Sequence, residues 1–438
     1  MNIYNCQEAF GAWDKTSRAM TKAVEAWFQL YYRSAVTGGE DPCQRIAYTV
    51  VSKLVRAVFS EYAVHTDDPF TRQALAALDP VKETAVQLAL VGGESYLKPW
   101  VDGSGFRFTV IPRDHILIFG RDAAGQPTDV GTMERSTLGN CYYTLLERRT
   151  VDESGYLTIE NRLYRAYDPD TLGQPVALSS HPLYAQLPER YTFDRPVGSV
   201  GLVQVKTPML NCVDGSMDGV SVYAAAAQLI HAIDKNEHQL SGEFDRGQSR
   251  VFASSDLLRD GQLEGNLFVG LDEDPQAVGL TVFAPQLREQ SFLARKQEYL
   301  RNVESIIGLK RGTLCDANED QRTATEISAS TAEHNLTVMD FQAMWETALR
   351  RAVGLCVVLG QLYRVPGAAA AEIFVDWGNG VLYDEDKQWQ DYKDMVQKGL
   401  IAPEIALGWR FNMPADTPEQ RKAIREKYMS NGQLTIDN

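Results

Sequence analysis

Residues 319–332 read EDQRTATEISASTA, a charged cluster that runs into a helix start with almost no side chain to bury. Thr323 and Glu326 stand at capping-box spacing, where each side chain satisfies the other's otherwise orphaned backbone N–H. No proline follows until Pro366. The spacing therefore predicts one helix of roughly 40 residues, about 60 Å long at 1.5 Å per residue. Its first half is small and polar (Ser328, Ser330, Thr331, Asn335). Its second half is apolar (Met344, Trp345, Leu349, Val353, Leu355, Val358, Leu359, Leu362). Such a helix passes through two environments and cannot lie in one core along its whole length.

Upstream, two amphipathic segments bracket a small β-rich module. Over 216–247, Val222, Ala226, Leu229, Ile233, Leu240 and Phe244 fall on one helix face, with Gly247 as a stop. Three strands are expected next, RVFAS, NLFVGL and GLTVFAP. A second helix from Gln286 to Ile307 follows, with Phe292, Leu293, Tyr299, Leu300, Val303 and Ile307 on one side, and ends at Gly308. Further upstream, 93–205 is a series of short β-rich runs separated by turns such as DGSG, DAAGQPTD and DESG. That is the pattern of antiparallel hairpins, without βαβ alternation. Residues 1–92 are helical in pattern, and the stripe Trp27, Phe28 and Tyr31 is assigned to core. Downstream come one strand, AEIFVDW, and charged helices in DKQWQDYKDMVQKGL and TPEQRKAIREKYM. The class is α+β.

The chain has 438 residues, 44% hydrophobic and 23% charged, enough for two to four domains with real cores. Its net charge of −15 repels nucleic acid and anionic membrane at long range, which excludes the usual basic DNA reader. The start MNIYNCQEAF lacks the basic and apolar parts of an export leader, and AVGLCVVLGQL (352–362) is about half a membrane span. No membrane partner is expected. The six cysteines are scattered, consistent with reduced thiols in an intracellular compartment.

Catalytic patterns are mostly missing. GLKRGT (308–313) has glycines and bases but no lysine after its second glycine, so it is not a phosphate loop. GSGF (103–106) reads as a hairpin turn, and GVSVY (219–223) lacks the second glycine of a nucleophile elbow. His231 and His238 are seven apart, whereas a metal-binding helix needs four, and Asp114-His115 has no nucleophile to serve. Acid clusters occur at Asp272, Glu273 and Asp274, at Asp316, Glu319 and Asp320, and at Asp384, Glu385 and Asp386. Held in a cleft, any of them could do acid–base work; in solvent they are ordinary loops.

The order of parts resembles the portal proteins of tailed bacteriophages, in the branch found in phages and prophages of Gram-positive bacteria. LALVGGESYLKPWVD (88–102), YYTLLERRTVDESGYLTIENRLYR (142–165) and LGQPVAL (172–178) are similar to that branch's wing. GVSVYAAAAQLIHAIDKNEHQLSGEFDRGQSRVF (219–252) resembles its first stem helix and entry into the clip. IIGLKRGTLCDANEDQRTATEISAS (306–330) resembles the loop and helix start after the second stem helix.

The resemblance implies a wing over 1–218, stem helix 1 over 219–247, a clip over 248–285 and stem helix 2 over 286–308. A tunnel loop over 309–322, a long helix with a return strand over 323–379, and a crown with the C-terminal tail over 380–438 complete it. It further implies a ring of twelve copies at one capsid vertex, through which double-stranded DNA passes without sequence recognition. The large terminase subunit would dock on the clip, with Asp272, Glu273 and Asp274 on the docking surface. A head-completion or adaptor protein would later replace it, and major capsid and scaffolding proteins would surround the ring. Lys310, Arg311, Asn318, Glu319, Asp320, Gln321 and Arg322 would face the channel. Thr323, Thr325, Ser328 and Ser330 would let the long helices of neighbouring subunits approach closely. No catalytic residue, metal or cofactor is implied. Two other readings stay open on the residues alone. One is an intracellular enzyme using an acidic pair; the other is a head–tail adaptor or minor capsid protein, against which the helix–strand–helix segment 219–308 argues.

Overall fold

A computed structural model describes residues 2–32, 43–102, 105–246, 250–254, 268–271, 281–283, 287–316, 324–378, 385–411, 413–415, 417–430 and 433–434. For the three short strands between 250 and 283, and for 324–330, it describes the backbone alone. The chain is 47% helical and 20% strand, a mixed α+β protein. It divides into two compact units, one of residues 1–60 and 64–375, the other of 61–63 and 376–438.

The larger unit opens with short helical turns at Ile3–Cys6 and Gln7–Phe10, followed by helices α1 (Arg18–Tyr32) and α2 (Ile46–Val58). Met20, Val24, Trp27, Phe28 and Tyr31 are all buried, as the aromatic stripe requires. Helix α3 (Pro69–Leu78) starts where Asp68 accepts the Thr71 N–H at 2.7 Å and proline occupies the first turn, whose N–H needs no partner. Helix α4 (Lys82–Gly92) has no polar stripe over its last two turns. Ala85, Val86, Ala89, Leu90 and Val91 are inaccessible, and it forms the axis of the body.

Two antiparallel sheets follow. Strands β2 (Glu94–Asp102) and β3 (Gly105–Pro112) pair with β10 (Val203–Lys206) in the order β10-β2-β3. Strands β4 (Ile116–Arg121), β5 (Pro127–Leu138), β6 (Cys141–Val151), β7 (Leu157–Ala166) and β8 (Gln174–Val176) run in sequence order, with β9 (Arg190–Thr192) also on β7. Short β1 (Ala63–His65) pairs elsewhere, with β14 (Phe374–Asp376). The expected turn chemistry is present: Asp122 Oδ1 accepts from Ala124 and Gln126 N–H, and Asp152 Oδ1 repeats the pattern with Ser154 and Tyr156. Tyr96, Ile111, Ile116, Val130, Val200 and Leu202 form one cluster, while Ile3, Cys6 and Phe10 pack on Leu117, Phe119, Met133 and Leu146.

The first of the paired helices, α5 (Ala227–Arg246), starts eleven residues after the segment that the sequence pattern opens at 216, following turns at 222–226. The residues before it are held by the body instead. Gly219 N–H donates to Glu94 Oε1 at 2.6 Å, and both Val222 N–H and the Ser221 hydroxyl donate to the Leu90 carbonyl at the end of α4. Val222 and Ala226 are therefore buried ahead of the helix, Leu229 is half-buried, and Phe244 is 44% exposed. Tertiary contact has overridden the helix propensity of an alanine run.

Strands β11 (Arg250–Ser254), β12 (Phe268–Leu271) and β13 (Thr281–Phe283) form a three-stranded sheet in the order β12-β11-β13. The first pair is parallel; the second is antiparallel, with Arg250 opposite Phe283. Helix α6 (Glu289–Ile307) then returns antiparallel to α5. Arg288 bridges Glu243 at 2.8 Å, Asn236 donates to the Phe292 carbonyl at 3.0 Å, and Lys296 meets Glu237 at 2.9 Å.

Helix α7 (Ala324–Leu362) is continuous over 39 residues. From Thr331 to Thr337 it is exposed or half-buried. From Val338 onward one face is core, including Met344, Trp345, Leu349, Val353, Leu355 and Leu359. The two environments expected along its axis are thus seen over the part whose side chains are described.

In the smaller unit lie α8 (Glu385–Gln397), α9 (Pro403–Arg410) and α10 (Pro418–Tyr428). Helix α9 has no counterpart in the sequence analysis. Pro403 opens it, Ala406 and Leu407 are buried, and Glu404 is bonded to Arg425 of α10.

Candidate functional site

Helix α6 carries a glutamate on its buried stripe. Leu300, Val303 and Ile307 line one face, and Glu304 lies among them with 1% of its surface exposed. A carboxylate so placed must be hydrogen-bonded. Its Oε1 accepts from the backbone N–H of Leu314 at 2.5 Å and of Cys315 at 3.1 Å. Its Oε2 accepts from Gly312 N–H at 3.2 Å and from the Cys315 thiol at 3.1 Å.

The chain can return to its own helix because Gly308 ends α6 in the left-handed region, with φ 74°, and Leu309 N–H bonds back to the Glu304 carbonyl at 2.8 Å. A Cβ on Gly308 would also stand 2.3 Å from Thr337 Oγ1 on α7, a contact the threonine could relieve by rotating, so the left-handed turn is what requires glycine. Further bonds fix 309–316. Lys53 of α2 donates to the Thr313 carbonyl at 2.5 Å. Gln297 and Asp316 bond reciprocally, at 2.9 Å between side chains and 2.8 Å from the Asp316 N–H. Arg311 Nη1 donates to the Arg301 carbonyl at 3.2 Å. Lys310 and Arg311 are exposed on the outside of this turn, while Leu309 and Cys315 are buried.

Burial pushes the Cys315 thiol above its usual range, and the Glu304 carboxylate adds to the effect. Burial pushes His334, whose Nδ1 lies 3.4 Å from the Gly308 carbonyl, below the usual histidine value.

A second polar network lies where the chain leaves the body for α5. Arg113 is fully buried; Nη1 donates to the Ile116 carbonyl at 3.0 Å and Nη2 to Thr16 Oγ1 at 2.7 Å. Its Nε is 3.8 Å from Glu94 Oε2, and Glu94 also accepts from the Tyr96 hydroxyl at 2.6 Å. Asp218 is bonded to Arg121. Burial alone would raise Glu94, but Arg113, Tyr96 and Arg121 outweigh it and hold the carboxyl below its ordinary value.

The arrangement is a hairpin of two helices with a small sheet at its tip, a braced cationic turn at its base, and then a 39-residue helix. A family model described as phage portal protein, SPP1 Gp6-like, matches residues 81–432. The chain belongs to the SPP1 Gp6-like phage portal protein family. A search of curated proteins gave no match. Phage portal proteins are structural rather than enzymatic, assemble as oligomers at the capsid vertex, and are virion components.

For this portal protein, the residues singled out in the sequence fare unevenly. Lys310 and Arg311 are brought together on the exposed turn. Asn318, Glu319, Asp320, Gln321, Arg322 and Thr323 lie outside the described residues, as do Asp272, Glu273 and Asp274. Thr325, Ser328 and Ser330 lie in the first two turns of α7. Among the described residues no three His, Cys, Asp or Glu side chains are arranged to hold a metal ion, and no helix is long and apolar enough to cross a membrane.

Sequence reasoning missed Glu304, Gln297 and Lys53. A signal for the first was available, because a glutamate on the Leu300–Ile307 stripe just before a Gly-rich turn asks which N–H groups it meets. Lys53 is 260 residues from its partner and gave none.

Proposed function

We propose that this portal protein is one subunit of a closed ring of twelve copies at a single capsid vertex, the channel through which double-stranded DNA is packaged and ejected. The observation that carries this reading is the helix–strand–helix insertion followed at once by α7, all within the span matched to the family. In this reading α5 and α6 are the stem, β11–β13 belong to the clip, and 309–322 is the tunnel loop. The smaller unit supplies the crown. A head-to-tail interface that closes on itself generates such a ring from identical chains.

The small residues Thr323, Thr325, Ser328 and Ser330 let neighbouring α7 helices approach near the axis. Lys310 and Arg311 meet phosphates in passing, with Arg322, while Asn318, Glu319, Asp320 and Gln321 limit how tightly DNA is held. A conduit must release each phosphate contact as the duplex slides, so a chain of net charge −15 suits low adhesion. The clip, with Asp272, Glu273 and Asp274, serves as docking surface for the large terminase subunit and then for a head-completion or adaptor protein. Scaffolding and major capsid proteins contact the outside of the ring.

Light scattering on the purified protein, with particle images of the same fraction, tests the assembly. Twelve subunits of 48.9 kDa give about 587 kDa, and axial views should show a central hole. A compact monomer or dimer that stays so with scaffold and capsid proteins added would overturn it.

A further inference from the structure

We infer that Glu304 is a positioning residue. By filling the concavity made by the N–H groups of Gly312, Leu314 and Cys315 with one buried carboxylate, it holds 309–316 in a single shape and keeps Lys310 and Arg311 on the turn's outer side. That the two cations serve DNA rests on the channel reading; the clasp itself does not.

Three nearby backbone N–H groups pointing into one hollow form an anion-binding nest, the device that phosphate loops use. GLKRGT has the glycines and bases of such a loop in its sequence, yet its hollow is occupied from within by the chain's own carboxylate. All four donors are directed to the two oxygens of one group that is 1% exposed. Bonds to an ionised acceptor are roughly twice as strong as neutral ones.

The ends of the turn are secured separately, by Gly308 on α7, by Lys53 on Thr313 and by Gln297 on Asp316. Loss of the clasp therefore slackens the middle of the turn while its ends stay attached. Glutamine cannot replace the glutamate. Its oxygen accepts two of the four donors, while its amide N–H faces the Gly312 N–H, itself a donor, and a Cys315 sulfur that accepts only weakly.

Hydrogen exchange on the assembled protein, resolved to the amides of Gly312, Leu314 and Cys315, tests this in Glu304→Gln and Glu304→Asp. Aspartate keeps the charge but is one methylene short. Both variants should exchange these amides about tenfold faster or more, with the oligomeric mass unchanged. Alkylation of Cys315, located by peptide mass, should quicken in both. In the glutamine variant part of that gain comes from removing the charge beside the thiol, so the aspartate variant isolates exposure. Exchange equal to wild type in both variants would overturn the inference, and if Glu304→Gln fails to assemble, Glu304→Asp decides alone. DNA retention by assembled rings separates the two claims. Fast exchange with DNA retention unaltered leaves the clasp standing and removes the channel role of Lys310 and Arg311.

Discussion

Gly93 and Gly219 meet backbone against backbone: a Cβ on Gly93 would lie 2.3 Å from the carbonyl carbon of Gly219, and one on Gly219 would lie 2.3 Å from the Gly93 oxygen. Gly93 caps α4 with φ 83°, and its carbonyl accepts from Thr207 N–H at 3.0 Å. Gly219 N–H is held by Glu94. The contact therefore sets where the chain departs toward α5.

Alanine at either position should be costly. Gly219→Ala must move a backbone, which costs about 1–3 kcal/mol by overpacking. Gly93→Ala adds a left-handed residue with a side chain, about 1–2 kcal/mol more. Gly139→Ala is the control, since φ there is 58° but nothing lies within 4 Å. Urea unfolding should rank the losses Gly93 > Gly219 > Gly139. Equal midpoints for Gly93→Ala and Gly139→Ala would contradict the close approach.

Arg113→Met should destabilise by about 3 kcal/mol, because it takes the nearest cation from the buried Glu94 carboxylate and leaves only the Tyr96 and Gly219 hydrogen bonds and the more distant Arg121. Adding Glu94→Gln removes that charge and should recover part of the loss. A double-mutant cycle in denaturant measures the coupling, and a value within about 0.5 kcal/mol of zero would show that the two side chains act independently.

Glu147 gives a pH signature. It is buried between Lys98, at 2.9 Å, and Arg149, at 2.6 Å. Burial alone would raise it, but the two cations prevail and bring it from 4.5 to about 2. A lowered folded value contributes stability that is present above the unfolded value and lost as pH falls toward the folded one. Wild type should exceed Glu147→Gln by about 3 kcal/mol near neutrality. That advantage should shrink between pH 4.5 and about 2. A difference constant across that window would refute the assignment.

In the channel reading, replacing Lys310 and Arg311 together with alanine should leave the oligomeric mass unchanged and flatten the salt dependence of DNA retention. Each cation that meets a phosphate adds about 0.9 to the log–log slope. An unaltered slope would place the phosphate contacts elsewhere.

Much of this architecture was legible because it follows from local periodicity. The 39-residue helix declared itself by capping-box spacing at its start, the lack of proline and a change of texture along its axis. The turns joining β4 to β5 and β6 to β7 showed themselves as Asp-led stretches, at Asp122 and Asp152, whereas the Gly139-Asn140 turn between β5 and β6 did not stand out. What stayed hidden depends on contacts between distant residues. The alanine run at 224–227 looks helical alone, and only the bonds to Leu90 and Glu94 explain why the helix waits until Ala227. Helix α9 is eight residues long, too short for its period to stand out. At the braced turn, Lys310 and Arg311 were found as charges in a loop. The side chain that shapes that loop sits on a helix face where a hydrophobic pattern simply counts it as a gap.

The pairing of Arg250 with Phe283 has an evolutionary consequence. The excursion between the paired helices leaves and rejoins the protein at one spot, as a handle leaves and rejoins a cup. Any module whose two termini lie side by side could be exchanged at that spot without altering α5, α6 or the sheets behind them. A lineage could thus exchange the one contiguous block between Arg250 and Phe283 while the rest of the chain drifts under quite different constraints.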